Sequence, residues 1–201
     1  MARRIEFLFD FASLNGYLAY RSLPPILARA GAELEITPVL LGGLFKATGN
    51  QAPFAAFANV KGKIAYEMLE IRRFIAKHGL TKYRMNPHFP VNTLLLMRGF
   101  VAARALGQGE AYIEMGLQGL WEEGLNLADP AILAARIDAA GLDAQRLLED
   151  AQRPEIKQAL ADSTARAAER GAFGIPTFFV GDEMFFGKER LAQIEAELAR
   201  P

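Results

Sequence analysis

Strand-like patterning occurs only near the two ends of this chain, so one sheet has to be assembled from both ends across a long helical stretch. At the N-terminal end Ile5, Phe7 and Phe9 occupy alternate positions, and after a helical segment stopped at Gly31, Glu33-Leu34-Glu35-Ile36-Thr37 alternates again. Strand, helix, strand is the βαβ unit, whose strands run parallel and whose crossover is right-handed. Pro38 removes a ladder donor and places the end of the second strand at an edge or exit. At the C-terminal end a helix from Glu155 to near Gly171 precedes Gly174-Ile175-Pro176-Thr177-Phe178-Phe179-Val180, a strand opened by a proline. Gly181-Asp182 supplies a hairpin turn, Glu183-Met184-Phe185-Phe186 pairs back, and Leu191, Ile194 and Leu198 mark one face of a closing helix.

From about 61 to 154 the chain reads as helix. Ile64, Met68, Ile71 and Ile75 recur at helical spacing up to Gly79, which makes Met68 a core residue. Asn92 suits the N-cap of an apolar helix, and Tyr112 to Trp121 forms another, with Trp121 in the core or at an interface. Asp129-Pro130 opens a helix that ends at Gly141, and Asp143 opens the next. The expectation is an α/β chain, βαβ plus αββα, in which residues 1–60 and 155–201 form one split domain and 61–154 an all-helical insertion.

Composition narrows the chemistry. Lys plus Arg and Asp plus Glu each number 23, so no net field draws the chain to nucleic acid or an anionic membrane. With no cysteine there can be no disulfide, protein thiol nucleophile, Cys-ligated zinc or iron–sulfur cluster, and any thiol chemistry needs a borrowed thiol. His78 and His88 are too few for a three-histidine metal site, so no metal is expected. The longest apolar tract, Val91 to Leu106, is interrupted by Arg98, Gly99 and Arg104 and falls short of a membrane span. A cytoplasmic protein with small-molecule partners is expected, and its apolar helices permit a homodimer.

The stretch from Ile5 to Ala19 runs from strand straight into helix, with Ser13 at the junction. Serine is a preferred N-cap, and a helix N-terminus can also hold an anion such as a thiolate or carboxylate. Both roles are open to Ser13. Leu41 to Pro53, with Gly42-Gly43 and Thr48-Gly49-Asn50, has a loop composition that offers Lys46 and Asn50 as polar candidates.

In their order, FDFASLNGYLA, KATGNQAP, LWEEG, GAFGIPTF and FFGKERL resemble the 2-hydroxychromene-2-carboxylate isomerases and the related kappa-class glutathione transferases, which share the DsbA-like thioredoxin fold with its helical insertion. In thiol oxidoreductases of that fold Cys-x-x-Cys fills the first strand-to-helix junction. Here the place reads Ser13-Leu14-Asn15-Gly16. The resemblance therefore implies glutathione as cofactor, its sulfur standing where the protein sulfur used to be and Ser13 donating a hydrogen bond to the thiolate. It implies Ile175 as the residue whose backbone pairs with the cysteinyl part of glutathione, and Pro176 as the fold's cis-proline. Lys188 and Glu189 fall where the γ-glutamyl end is held, Asn50 and Lys61 match glutathione contacts, and Lys46 matches a lysine for the substrate carboxylate. Two departures stand out. Leu14-Asn15 replaces Pro-Phe or Pro-Tyr in the substrate pocket, leaving Asn15 as a substrate contact, and Glu189 replaces the commoner aspartate.

The implied reaction is glutathione-dependent isomerisation of 2-hydroxychromene-2-carboxylate to trans-o-hydroxybenzylidenepyruvate in aromatic catabolism. Two alternatives stay open: a kappa-like glutathione transferase or peroxidase, and a non-catalytic thioredoxin-fold binding scaffold.

Overall fold

In the computed structural model, which describes residues 3–200, the two ends of the chain meet in one four-stranded sheet. Its strands are β1 (Arg3–Phe9), β2 (Ala32–Pro38), β3 (Thr177–Val180) and β4 (Glu183–Phe186), in the order β2-β1-β3-β4. β1 pairs with β2 in parallel, with Phe7 opposite Ile36, and with β3 antiparallel, with Phe7 opposite Phe178. β3 and β4 form the hairpin expected across Gly181-Asp182. This is the thioredoxin-like α/β fold.

The alternation in β1 sorts its side chains between two faces, as a period of two requires. Ile5, Phe7 and Phe9 enter the larger core, where Phe7 stacks on Phe178 at 4.7 Å between centroids. Leu8 points the other way, into a smaller cluster with Val39, Leu44, Ala167, Ile175 and Phe179. The larger core is completed by α1 (Leu14–Ser22), α2 (Pro24–Ala30), α6 (Leu94–Ala105), α7 (Gly109–Trp121) and α11 (Leu191–Leu198). α5 (Lys63–His78), α8 (Pro130–Ala139), α9 (Ala144–Asp150) and α10 (Pro154–Glu169) add Ile71, Leu133, Leu147 and Leu160 to the same core, and the remaining helices are α3 (Leu41–Thr48) and α4 (Pro53–Ala56). Met68 packs against the larger core, and Trp121 is buried within it, its Nε1–H donating to the Phe11 carbonyl at 3.0 Å.

Three local expectations are corrected. The crossover between β1 and β2 is two helices, because Pro24 has no N–H and its ring excludes an unbroken turn after Leu23. The segment from Leu41 is helical through Thr48 despite its glycines. Leu44 is buried against the sheet, and a Cβ at Gly43 would lie 3.0 Å from Thr164 Cγ2, so that glycine admits α10 at close range. Lys46 consequently stands on a helix, and the chain turns at Gly49 with φ 69°. Finally, Thr93, not Asn92, precedes the first turn of α6, and Asn92 accepts the Leu94 N–H at 3.0 Å from one residue earlier. The Thr93 hydroxyl is engaged elsewhere, as described below.

Candidate active site

The end of β1 delivers Ser13 to the N-cap of α1 with φ −91° and ψ 110°, the extended conformation that a cap requires. Its Oγ accepts the Gly16 N–H at 3.0 Å, and its O–H donates to the Ile175 carbonyl at 2.9 Å, a bond spanning almost the whole chain. Gly16 makes this closeness possible. A Cβ there would sit 3.1 Å from both Ile175 Cγ2 and Ser13 Cβ. Ser13 is 7% exposed, so its hydroxyl lies just beneath the surface where α1 begins.

The Ile175–Pro176 peptide is cis, as the resemblance implied. The Pro176 carbonyl accepts the Gly187 N–H at 2.9 Å, which joins this turn to Lys188 and Glu189. Asn50 also reaches the same strand approach, donating from Nδ2 to the Phe173 carbonyl at 2.8 Å, while its Oδ1 accepts the Gln51 N–H. The structure therefore brings Ser13, Ile175, Pro176, Lys188, Glu189 and Asn50 into one connected region. Lys46 and Lys61 are exposed and make no ion pair among the described residues.

Lys188 does not extend into solvent. Its side chain is 3% exposed, its Nζ pairs with the Glu189 carboxylate, and the same Nζ lies 5.4 Å from the Phe74 ring centre on α5. Glu189, at 58% exposed, is the outward member of the pair. Leu14 is buried in the core, whereas Asn15 carries a buried Oδ1 with no donor among the described residues. The Asn15 residue itself is part-exposed at the start of α1, so only its Oδ1 is turned inward.

Two further features of the structure lie outside the sequence expectations. Phe54 on α4 meets Phe89 edge to face at 5.5 Å, and Phe89 in turn lies 6.0 Å from Trp121, an aromatic seam between the α3–α5 segment and the approach to α6. No local motif announces such a contact. The other is Asp10, a buried carboxylate whose position directly after an apolar strand was the available signal. Burial raises its pKa above the ordinary carboxylate value, with the hydrogen bonds it accepts opposing that shift. Below Ser13 on α1, Tyr17 donates to Glu122 at 3.1 Å, and its phenol is pushed up to about 12, by burial first and then by the Glu122 charge.

A groove of about 730 Å³ runs along β2 between α1, α6 and α7, lined by Tyr20, Leu34, Ile36, Phe100 and Arg104 among others. It contains none of the sequence-predicted residues. Among the described residues no group of three or more His, Cys, Asp or Glu could hold a metal ion, and no helix is long and apolar enough to cross a membrane.

The profile of the DSBA-like thioredoxin domain matches residues 4–199. The chain is 31% identical over 200 residues to a 2-hydroxychromene-2-carboxylate isomerase from Sphingobium xenophagum, covering 98% of this chain and 99% of the relative. It is 26% identical to glutathione S-transferase kappa 1 from Rattus norvegicus, covering 94% of this chain and 88% of that one. Among solved structures, one of a 2-hydroxychromene-2-carboxylate isomerase superposes with a TM-score of 0.84 at 26% identity, covering 98% of this chain and 95% of the other.

Proposed function

The chain belongs to the DSBA-like thioredoxin family and, within it, to the 2-hydroxychromene-2-carboxylate isomerases, and from that premise we propose that it is a glutathione-dependent isomerase of 2-hydroxychromene-2-carboxylate. The observation that carries the proposal is the Ser13 hydroxyl, set at a helix N-terminus against the cis-Pro176 turn in a chain with no cysteine. A thioredoxin-like site without its own thiol has lost disulfide exchange and kept the elements that stabilise a thiolate.

The residues present fit glutathione. The Gly16 N–H fixes Ser13 Oγ, so the hydroxyl hydrogen can swing from the Ile175 carbonyl to an incoming sulfur without moving the oxygen. The N-terminus of α1 adds a partial positive charge at the same point. Ile175 has a backbone N–H with no acceptor among the described residues, suited to pairing with an extended peptide as a strand edge does. Glu189 presents a partly exposed carboxylate for the γ-glutamyl ammonium with Lys188 paired to it, Asn50 stands at the strand approach, and Lys61 is a further contact that the resemblance implies. When bound, glutathione supplies the thiolate nucleophile that opens an addition route to the cis–trans change. Ser13 and the helix terminus keep that sulfur ionised, Lys46 meets the substrate carboxylate, and Asn15, part-exposed at the start of α1, is a substrate contact. Phe54 and Phe89 supply the aromatic wall that the Leu14-Asn15 departure removes from α1. Such a reaction belongs in the cytoplasm, where glutathione is kept reduced.

Purified protein assayed on the chromene carboxylate and on a chlorinated aromatic, with and without glutathione, tests the reading. Glutathione-dependent isomerisation of the chromene is the expected result. Turnover of the chlorinated aromatic alone would replace it with the transferase reading that the kappa relative favours. Calorimetry showing no glutathione binding at millimolar concentration would leave a binding scaffold.

A further inference from the structure

Asp10 directly follows β1 and is 1% exposed. A carboxylate so placed must be matched by donors, since an unpaired buried charge is costly. It is matched by three, each from a different segment around Ser13. Oδ1 accepts the Ala12 N–H at 2.9 Å and the Thr93 O–H at 2.6 Å, and Oδ2 accepts the Leu41 N–H at 2.7 Å. The Asp10 carbonyl also receives the Ser13 N–H at 3.3 Å.

The origin of these donors is what gives the arrangement meaning. Ala12 lies in the loop that presents Ser13. Leu41 opens α3, which carries Lys46 and runs on to Asn50. Thr93 sits at the start of α6, just after the Phe89 segment that meets Phe54. None of the three is a charged partner, and Asp10 makes no ion pair among the described residues, so the carboxylate serves as a shared acceptor at the meeting point of these segments.

We propose that Asp10 is a positioning residue of the Ser13 site, its carboxylate locking the Ser13 loop, the start of α3 and the start of α6 into one arrangement, with Thr93 as its partner on α6. The inference rests on the functional reading above for its kinetic consequence. It places Asp10 behind the chemistry, acting through the loop and through Thr93 and Leu41. Three segments that must converge on one reacting sulfur and one ring gain from such a lock, because misplacement by about 1 Å can cost on the order of 100-fold in rate.

Three variants test it. Thr93→Val deletes the hydroxyl and keeps the branched shape, Thr93→Ser keeps the hydroxyl, and Asp10→Asn sets an NH2 group in place of one of the acceptor oxygens. Each is compared with wild type for kcat and KM on the chromene carboxylate at saturating glutathione, for melting temperature, and for amide hydrogen exchange. The expected result is a fall in kcat of roughly 10-fold or more in Thr93→Val and Asp10→Asn, with KM little changed and Thr93→Ser restored to near wild type. Faster exchange should be confined to the Ser13 loop and the first turns of α3 and α6. Should Asp10→Asn fail to fold, Thr93→Val carries the comparison. The inference is overturned if the folded variants melt earlier yet keep the wild-type kcat, or if exchange rises across the whole fold or nowhere. Should wild type itself not isomerise the chromene, the functional reading fails separately, and the exchange pattern alone then decides for or against the lock.

Discussion

Changing Tyr112 to Phe should stabilise this protein even though the residue lies deep in its larger core. The Tyr112 ring is fully buried, 6.3 Å from the Phe11 ring and 6.4 Å from that of Phe100, and its hydroxyl has no hydrogen-bond partner among the described residues. The hydroxyl is accommodated because position 99 is glycine: a Cβ there would fall 2.1 Å from it. An orphaned buried hydroxyl costs roughly 1–3 kcal/mol. Deleting it leaves a void smaller than a methyl group, a loss of a few tenths of a kcal/mol at roughly 24 cal/mol per Å³. The net gain is about 1 kcal/mol, or about 2–4 °C in melting temperature for a chain of this size. Urea unfolding measures it as a higher midpoint at unchanged slope. Conversely Gly99→Ala should cost about 1–3 kcal/mol through overpacking, with part of that loss recovered in the Tyr112→Phe background. A Tyr112→Phe variant less stable than wild type by more than about 0.5 kcal/mol would refute the reasoning, since the hydroxyl would then have been satisfied.

Other expectations follow from the same geometry. Ser13→Ala removes both the cap to Gly16 and the bond to the Ile175 carbonyl, so it should lose about 2 kcal/mol in urea unfolding and still fold. Gly116→Ala should lower the melting temperature, because its Cβ would lie 2.4 Å from the Phe11 ring; a variant as stable as wild type would show that Phe11 has room to move. The folded-state pKa of Asp10 is raised above its ordinary 3.8, so the native state holds that proton more tightly than the unfolded chain. Its contribution is therefore fully present below the unfolded value and is lost as pH rises through the folded one. The stability difference, wild type minus Asp10→Asn, should fall as pH is raised across that window, and unfolding midpoints measured over a pH series check the sign.

Much of this fold was legible because its signals are periodic. The alternation of Ile5, Phe7 and Phe9, the hairpin turn at Gly181-Asp182 and the Asp129-Pro130 helix start all appear in the structure where the residues placed them. What escaped depends on contacts between distant segments. Gly42-Gly43 reads as a break, yet α3 forms because Leu44 finds the sheet and Gly43 admits α10. Lys188 falls by resemblance where the γ-glutamyl end is held, yet its own side chain is buried, paired with Glu189 and lying over the Phe74 ring. Ser13 at a helix start was visible in the sequence, as was the proline of the cis turn. That the Ser13 hydroxyl faces the Ile175 carbonyl is a tertiary fact, and the Asp10 arrangement draws on Ala12, Leu41 and Thr93, which no local window contains.

If Ser13 holds a borrowed thiolate, the thiol of bound glutathione must titrate differently with and without its hydroxyl. The ultraviolet absorbance of the thiolate, followed against pH in the wild-type and Ser13→Ala complexes, gives the two pKa values. The expected wild-type value is well below the ~8.5 of an ordinary thiol, rising by about one unit when the hydroxyl is removed. Equal values in the two complexes would contradict it.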